Sequence, residues 1–237
     1  MKEIYIIMPA YNEASVISQA IRDILKIKVE GYDKPKVIVV NDFSQDETSS
    51  VAIKNGAYQV LDHIVNLGAG GATRTGLRFA LQESADQKES IFITMDSDGQ
   101  HAGKDIQNVI SEIESKKADI VVGSRLHEKN TKNMPWYRKF GNNFLTYVSR
   151  AMFGIKVKDT QSGMRAYTRS GVQAIIDFQS DRYSFCTETL WMANKANLKV
   201  VETPISVIYS DYSLEKGQSN WNAFNLVLEL LWLKVSR

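Results

Sequence analysis

Residues 90–100 have the sequence SIFITMDSDGQ, and this stretch sets the fold class of the 237-residue protein. Its first six residues form the largely apolar run expected of a strand buried on both faces of a parallel sheet. Two acidic residues and a glycine follow the run directly, at Asp96, Asp98 and Gly99. Because ligands of open α/β sheets bind at the carboxyl ends of the strands, the stretch also predicts where the functional site lies.

The same unit, an apolar run followed by a turn and a helix-period segment, recurs along the first half of the chain. The predicted strands are residues 3–8, 36–40, 59–65, 90–95 and 119–122. The predicted crossover helices are residues 15–27, 46–55, 71–83 and 104–116. Later segments predict helices at 137–153 and 185–196, a strand at 199–209 and a terminal helix. The alternation predicts a single α/β Rossmann-like domain with a mostly parallel central sheet and helices on both faces.

Charge and cysteine content exclude several classes of protein. The 29 basic and 27 acidic residues give a formal net charge of only +2, so no overall field favours nucleic acid as a partner. The single cysteine, Cys186, excludes an internal disulfide and a zinc site built from cysteines. The first apolar run is about one strand long and lacks a small-residue cleavage site, so we expect no signal peptide and a cytoplasmic location.

Asp96 and Asp98 form the most informative motif in the chain. Carboxylates two residues apart on an extended backbone point the same way, about 6–7 Å apart, and can share a divalent cation. Hard oxygen ligands select Mg²⁺ or Mn²⁺, which completes its shell with waters and substrate phosphates. Gln100 can add a carbonyl oxygen. A solvated turn with helix-capping acids is the alternative interpretation.

Asp42 follows another predicted strand, where a carboxylate can accept hydrogen bonds from a base or a ribose hydroxyl. The alternative role is the N-cap of the next helix. Asp46 is better placed for that cap, so we expect Asp42 to be free for a ligand.

The glycine-rich run 68–72 fails the dinucleotide pattern, because Thr73 stands at the third glycine and the run follows the third strand. A backbone that passes close to a ligand remains the expectation. Arg74 and Arg78 lie behind the run on one helical face, where they can meet phosphate or form a solvated basic face.

Residues 125–139 hold five basic residues against one acid, Glu128. That density suits phosphates or an anionic membrane surface, and the adjacent Trp136 and Tyr137 favour a membrane-facing loop. Residues 223–235, AFNLVLELLWLKV, would be apolar on more than one helical face. This segment is either a terminal helix packed on the core or an interfacial or partner-binding helix.

With these residues in view, the chain resembles glycosyltransferase family 2 over residues 3–220, and within it the polyprenyl-phosphate sugar transferases typified by dolichyl-phosphate mannosyltransferase. The segments that carry the resemblance are PAYNE at 9–13, DFSQD at 42–46, NLG at 66–68 and onward to Gly76, DSDGQH at 96–101, GSR at 123–125 with Arg138, and Asp159 with QSGMR at 161–165. The resemblance implies a GT-A type domain over residues 1–220 and an apolar or amphipathic helix over 221–237. The chain departs from the family pattern at two positions. The family often has Asp at the position of Asn41 and a basic residue at the position of Ala69.

The resemblance also implies the residues of the site. The nucleotide-sugar donor is expected to contact Pro9, Tyr11, Glu13, Asp42, Asn66, Gly68 and Asp96. The metal, Mg²⁺ or Mn²⁺, is expected on Asp96, Asp98 and Gln100. The residues expected to serve catalysis are Asp98, Arg125, Arg138 and Glu188, of which the two arginines resemble those that receive an acceptor phosphate.

We expect an inverting, single-displacement transfer from a UDP- or GDP-sugar to a polyprenyl or dolichyl phosphate, with the metal neutralising the departing nucleoside diphosphate. A phosphate oxygen is already anionic, so Arg125, Arg138 and Arg165 need only orient it. If the acceptor is a saccharide hydroxyl, a base is required, and Glu188 is the candidate unless it is merely solvated on a helix surface. A non-catalytic nucleotide-sugar-binding subunit is the remaining alternative.

Most members of that group carry a membrane anchor or transmembrane helices, and this sequence shows neither. We therefore expect peripheral contact at the cytosolic face of a membrane. The terminal helix or a separate membrane-anchored partner would supply that contact.

Overall fold

A computed structural model of the protein describes residues 2–84, 89–100, 103–126, 136–206 and 220–236. The strands are β1 Glu3–Ala10, β2 Lys36–Asn41, β3 Gln59–Asp62, β4 Ser90–Thr94, β5 Ile120–Ser124, β6 Arg165–Thr168 and β7 Val200–Pro204. The helices are α1 Ile17–Leu25, α2 Thr48–Lys54, α3 Gly68–Glu83, α4 Asp105–Lys116, α5 Trp136–Phe153, α6 Arg169–Ile175, α7 Phe185–Lys195 and α8 Asn220–Ser236.

The strands form one sheet in the order β3-β2-β1-β4-β6-β5-β7. Every pairing is parallel except those of β6, which runs antiparallel to both β4 and β5. The order reverses direction between β1 and β4, so the carboxyl ends of these two strands border the crevice where such sheets bind ligands. The predicted single α/β domain with a mostly parallel sheet is confirmed.

Helices cover both faces of the sheet, and β1 contributes apolar side chains to both sides. Ile4, Ile6 and Met8 pack in one core cluster, which includes residues of α1 and α4. The alternate residues Tyr5 and Ile7 pack in a second cluster, which includes residues of α3, α6 and α7. The period of two along an extended chain therefore divides one apolar strand between two hydrophobic layers.

A third apolar cluster joins α5 and α8 to the end of the sheet. It contains Val122 of β5, Leu145 and Phe153 of α5, and Leu230 and Leu233 of α8. The terminal helix therefore packs one of its faces on the core.

Two parts of the sequence-based prediction differ from the structure. The third strand ends at Asp62 and not at residue 65, because Asn66 and Leu67 turn to bond Asp42 of the neighbouring strand's end. Strand β6 and helix α6 were not predicted. They have four and seven residues, and runs this short show no hydrophobic period that would identify a strand or a helix. The predicted strand at 199–209 is Val200–Pro204, and its last predicted residues lie outside the described ranges.

Gly76 lets α3 approach the sheet closely, and this contact gives a test of the packing. A Cβ at Gly76 would lie 2.5 Å from Cγ2 of Ile7 and 3.0 Å from Cγ2 of Val40, both on stiff β-branched side chains. We expect Gly76→Ala to lower the free energy of unfolding by about 1–3 kcal/mol, measured by urea denaturation, although alanine is the better helix former.

Gly141 in α5 is the matched control, since nothing lies within 4 Å of a Cβ built there. Gly141→Ala should raise the free energy of unfolding by up to about 1 kcal/mol. Equal stabilisation by both substitutions would contradict the close packing of α3 on the sheet.

Candidate active site

The loops that follow β1 and β2 are tied to each other at the carboxyl edge of the sheet. The N–H of Asn12 donates to Oγ of Ser44 at 2.9 Å, and the N–H of Gln45 donates to Oδ1 of Asn12 at 2.8 Å. The N–H of Glu13 donates to Oγ1 of Thr48 at 2.9 Å. These reciprocal bonds fix the two loops as one rigid rim.

Two residues of this rim adopt the left-handed backbone region that non-glycine residues avoid. Asn12 has φ of 55° and Phe43 has φ of 65°. Such conformations persist where surrounding contacts over-determine them, and they cluster at ligand sites. The neighbouring Tyr11 and Phe43 itself keep 48% and 45% of their surface exposed. The rim therefore offers two exposed aromatic rings at the ends of adjacent strands.

Asp42 is not free for a ligand, and that expectation is wrong. Its side chain is buried, and its two carboxylate oxygens accept from the backbone N–H of Leu67 at 2.8 Å and of Gly68 at 2.7 Å. Nδ1 of His63 lies 2.8 Å from the same carboxylate, and Nε2 of His63 lies 3.0 Å from Oγ1 of Thr75. Asp42 therefore bonds the start of α3, whereas the alternative weighed from the sequence was a cap on α2, the next helix along the chain.

Asp46 does accept the backbone N–H of Thr48 at 3.0 Å, as predicted for the start of α2. Nothing in the sequence pattern marked His63 as a partner of Asp42, since the two lie 21 residues apart and neither belongs to a shared motif.

The glycines at the start of α3 make room for another loop of the protein and not for a ligand. The N–H groups of Gly70 and Gly71 donate to the carbonyl of Asp181, at 2.7 Å and 3.2 Å. A Cβ on Gly70 would lie 2.2 Å from the carbonyl oxygen of Ser180, and a Cβ on Gly68 would lie 2.6 Å from that of Asp181. Residues 180–181 therefore pass directly over the helix N-terminus.

This covering closes a position that commonly binds anions. Free N–H groups at a helix N-terminus attract phosphate, but here those of Leu67 and Gly68 bond Asp42 and those of Gly70 and Gly71 bond Asp181. The start of α3 is therefore largely closed to an anion.

Arg74 binds the same covering loop. It donates to the carbonyl of Phe178 at 3.0 Å and to the carboxylate of Asp181 at 2.7 Å. Arg74 therefore holds the loop that follows α6, and this role replaces the expected contact with a phosphate.

Glu188 holds the other side of that loop. Its side chain is fully buried in the first turn of α7, and its two carboxylate oxygens accept from the backbone N–H of Gln179 at 3.0 Å and of Ser180 at 2.8 Å. A solvated helix surface, the alternative considered for Glu188, is therefore wrong. The geometry makes Glu188 a clamp on the loop that closes the start of α3.

Asp96 and Asp98 lie just beyond β4, between the ends of β1 and β6. Oγ of Ser97 donates to the carbonyl of Pro9 at 2.8 Å, which ties the acidic turn to the rim. The backbone N–H of Gln100 donates to Oδ1 of Asp98 at 3.0 Å, and its side-chain amide donates to Oδ2. Gln100 thus orients the carboxylate of Asp98, and its role as a metal ligand stays a prediction.

The carboxylate of Asp96 packs against Gly163, where an added Cβ would lie 2.3 Å from Oδ1. Asp96 and Asp98 are both partly exposed. Within the described ranges no three His, Cys, Asp or Glu side chains gather as a complete metal cage. Two partly exposed carboxylates in one turn fit Mg²⁺ or Mn²⁺, which keep waters and take substrate phosphates as further ligands.

Arg125 and Asp159 form a bidentate ion pair beside the acidic turn. Nε and Nη2 of Arg125 donate to the two carboxylate oxygens of Asp159, each at 2.9 Å, and the backbone N–H of Arg125 adds a third bond at 2.9 Å. Asp159 is fully buried, whereas 19% of the Arg125 side chain is exposed. Two of the five guanidinium N–H groups are used in this pair, and the exposed part of the side chain faces solvent.

The pair is ionised despite its burial. Burial opposes the charged form of Asp159, but the charge and hydrogen bonds of Arg125 hold the pKa of that carboxyl below its ordinary value. Burial likewise opposes the charge on Arg125, and Asp159 raises the pKa of the guanidinium above its ordinary value, with a smaller contribution from Asp96. Arg125 therefore carries a positive charge close enough to Asp96 for the two charges to interact.

Arg165 does not orient an acceptor. Its side chain is 1% exposed, and its guanidinium donates to the carbonyls of Ser162 and Thr160 and to Oγ1 of Thr189. It lies on β6 in the interior of the sheet, so its donors are satisfied by the protein itself. Arg165 therefore fixes the loop that carries Gly163 against Asp96.

The remaining predicted donor residues lie at the same edge. The carbonyl of Pro9 accepts from Ser97, the carbonyl of Glu13 accepts from the N–H of Ile17 at 2.9 Å, and Nδ2 of Asn66 donates to the carbonyl of Asp42 at 3.0 Å. Arg138 lies near the start of α5, and its side chain is outside the described part of the chain. Residues 127–135, which hold Lys129 and Lys132 of the basic segment, also lie outside it.

The arrangement matches a known family. Residues 5–176 match the model described as Glycosyl transferase family 2. The chain belongs to glycosyltransferase family 2. This family 2 glycosyltransferase is 38% identical over 235 residues to an uncharacterised protein of Methanocaldococcus jannaschii, across 98% of this chain and 93% of the relative.

A second relative is named for its reaction. The UDP-N-acetylglucosamine–dolichyl-phosphate N-acetylglucosaminyltransferase of Methanococcus voltae is 34% identical over 254 residues, across 100% of this chain and 98% of that protein. The crystal structure of glucosyl-3-phosphoglycerate synthase from Mycobacterium tuberculosis with Mn²⁺, UDP-glucose and phosphoglyceric acid superposes with a TM-score of 0.65 at 18% identity, across 96% of this chain and 79% of that one. The glycosyltransferase fold of GT-A type predicted from the sequence is confirmed.

The clamp formed by Glu188 gives a test in this family 2 enzyme. In Glu188→Gln the NH₂ group of the new side chain would point at the backbone N–H of Gln179 or of Ser180. Two donors would then face each other, so one hydrogen bond is lost and that backbone N–H is left unpaired. We expect the free energy of unfolding to fall by about 1–3 kcal/mol in urea denaturation.

Glu30→Gln, at an exposed position, is the control and should change the free energy of unfolding by less than about 0.5 kcal/mol. A Glu188→Gln protein of unchanged stability that has lost all transfer activity would show that Glu188 acts as a base and not as a clamp.

Proposed function

We propose that this glycosyltransferase moves a sugar from a UDP- or GDP-sugar to the phosphate of a polyprenyl or dolichyl lipid, with inversion at the anomeric carbon and with Mg²⁺ or Mn²⁺. One observation carries the proposal: the partly exposed acidic turn of Asp96 and Asp98 lies near the bidentate pair of Arg125 and Asp159, with Asp96 close enough to Arg125 for their charges to interact. A site for a cation-bound diphosphate thus adjoins a fixed positive charge that suits an anionic acceptor. The named relative from Methanococcus voltae uses dolichyl phosphate, which supports this acceptor class.

The donor's nucleoside is proposed to lie on the rim formed by the loops after β1 and β2. Tyr11 and Phe43 give exposed aromatic surfaces on which a base can stack. The diphosphate is placed away from the start of α3, because four of the N–H groups there bond Asp42 and Asp181. That leaves the edge at Asp96 and Asp98, where a bound divalent ion would stabilise the charge of the leaving nucleoside diphosphate.

The acceptor is proposed to be a phosphate because the site supplies positive charge and no available base. Arg125 is positioned rigidly by three bonds to Asp159. A phosphate oxygen needs no deprotonation before it attacks, so an arginine that orients it is sufficient. The saccharide-hydroxyl alternative requires Glu188 as base, and both of its oxygens already accept backbone N–H groups. Arg138 is proposed as the second arginine of the acceptor site.

A lipid acceptor requires contact with a membrane. None of the helices in the described ranges is both long enough and apolar enough to span a bilayer. We therefore propose that the protein works as a peripheral protein at the cytosolic face of a membrane.

Removal of one metal ligand tests the donor half of this proposal. Asp98→Ala should lower the rate of transfer by about 10²-fold or more, because the departing diphosphate loses its charge stabilisation. The fold should be intact, since Asp98 is partly exposed, and this is checked by the urea midpoint. Asp177→Ala, at a carboxylate that is 81% exposed, should keep full activity. A fully active Asp98→Ala enzyme would remove the metal assignment.

Loss of the second arginine tests the acceptor half. Arg138→Ala should raise KM for the lipid phosphate by about 10- to 100-fold, the value of one charge-assisted hydrogen bond, and leave KM for the nucleotide sugar nearly unchanged. Arg78→Ala is the control, since Arg78 is more than half exposed on α3. An equal rise of both constants would contradict the phosphate-binding role of Arg138.

A further inference from the structure

Glu202 of β7 accepts two consecutive backbone N–H groups of the segment that follows α5. Its Oε2 accepts from the N–H of Lys158 at 2.7 Å, and its Oε1 accepts from the N–H of Asp159 at 3.0 Å. Lys158 and Asp159 belong to no helix or strand, so no regular ladder of hydrogen bonds holds their backbone. One carboxylate therefore fixes this segment at the residue that forms the ion pair with Arg125.

The pairing of β7 with β5 brings Glu202 to this segment. Val122 of β5 lies opposite Glu202 in the parallel register. Side chains two residues apart on a strand share a face, so Glu202 lies on the same face as Val200. Val200 packs against the third apolar cluster, which also contains Val157 of the segment after α5. The segment therefore crosses the face of the sheet on which Glu202 lies.

Asp159 transmits this constraint to Arg125. The carboxylate of Asp159 is fully buried, and it accepts from Nε, Nη2 and the backbone N–H of Arg125, each at 2.9 Å. Glu202 thus holds the backbone of Asp159, and the side chain of Asp159 holds both the backbone and the guanidinium of Arg125. We call these three residues the arginine brace. Its last member is the arginine proposed to meet the acceptor phosphate.

The contacts of Glu202 require a carboxylate. A carboxylate has two acceptor oxygens and no donor, so it matches two neighbouring N–H groups, and its charge makes both bonds stronger than neutral ones. A glutamine at position 202 would offer one acceptor oxygen, and its NH₂ group would face the second backbone N–H. The N–H of Lys158 or of Asp159 would then lose its partner.

We propose that Glu202 is a positioning residue of the acceptor site, which acts through Asp159 to hold the guanidinium of Arg125 in the direction of an acceptor phosphate. The proposal rests on the proposed function, which supplies the phosphate acceptor. A planar guanidinium orients a phosphate through a fixed fork of donors, and a misplacement of about 1 Å can cost about 10²-fold in rate. Because Glu202 acts on Arg125, its effect falls on the acceptor and not on the nucleotide sugar.

Transfer kinetics with the full-length protein give the first test. Glu202→Gln should raise KM for a detergent-dispersed short polyprenyl phosphate by about tenfold and leave KM for the nucleotide sugar nearly unchanged. The control is Asp119→Asn, since Oδ2 of Asp119 accepts the backbone N–H of Lys199 at 2.8 Å where β5 and β7 begin. This control weakens a bond of the same kind at the opposite end of the same two strands, and it should keep both KM values.

Proton exchange at Nε of Arg125 gives a second test that needs no substrate. This N–H donates to a buried carboxylate, which slows its exchange with water. NMR of the ¹⁵N-labelled protein follows the resonance, which is assigned by its loss in Arg125→Lys. Exchange should become about tenfold faster in Glu202→Gln and stay at the wild-type rate in Asp119→Asn. Glu202→Asp keeps the charge at a shorter reach, so it should change exchange and acceptor KM in the same direction by a smaller factor.

Three results would overturn the proposal: exchange at Arg125 that keeps its wild-type rate in Glu202→Gln, an equal rise of both KM values in that variant, or the same changes in Asp119→Asn. If Glu202→Gln does not fold, as judged by its urea midpoint, Glu202→Asp decides by the same criteria. A wild-type protein that transfers no sugar to polyprenyl phosphate would refute the proposed function. The exchange rate would still decide whether Glu202 holds Arg125 in place.

Discussion

Asp42, Asp159 and Glu188 are buried carboxylates, and each accepts hydrogen bonds from backbone N–H groups of a different segment. A buried loop must bond its polar backbone groups, and a charged acceptor does this more strongly than a neutral one. Asp42 fixes the start of α3, Asp159 fixes the end of β5, and Glu188 fixes the loop that crosses α3. The rigid edge of the sheet depends on these bonds, and so does the placement of every group proposed to meet substrate.

This use of carboxylates divides the acids of the site into two kinds. Asp42, Asp159 and Glu188 are buried, and their carboxylates bond backbone N–H groups of other segments. Asp96 and Asp98 are the acids that the turn after β4 leaves partly exposed, with Asp98 oriented by Gln100 and Asp96 held against Gly163. Because most N–H groups at the start of α3 are already bonded, the proposed function assigns the neutralisation of a diphosphate to a cation on these two side chains.

The sheet and the position of the site were predictable from the sequence, because solid apolar runs and the polar residues after them are local patterns. Even so, the strand of four residues at Arg165–Thr168 escaped detection, since periodicity needs a longer run. The roles of Asp42, Arg165 and Glu188 were predicted wrongly or incompletely for a different reason. Whether a charged residue binds substrate or the protein's own backbone depends on which loops meet in space, and partners such as Asp42 and Gly68 lie 26 residues apart.

The most direct test is a product assay in which UDP- and GDP-sugars are offered with a short polyprenyl phosphate, first with Mn²⁺ or Mg²⁺ and then with the ion chelated. Mass spectrometry of the lipid fraction identifies the product, and NMR assigns the anomeric configuration. The account predicts a lipid-phosphate sugar of inverted configuration that forms only with the divalent ion. Transfer to a saccharide hydroxyl in place of the lipid phosphate, or an undiminished yield after chelation, would contradict it.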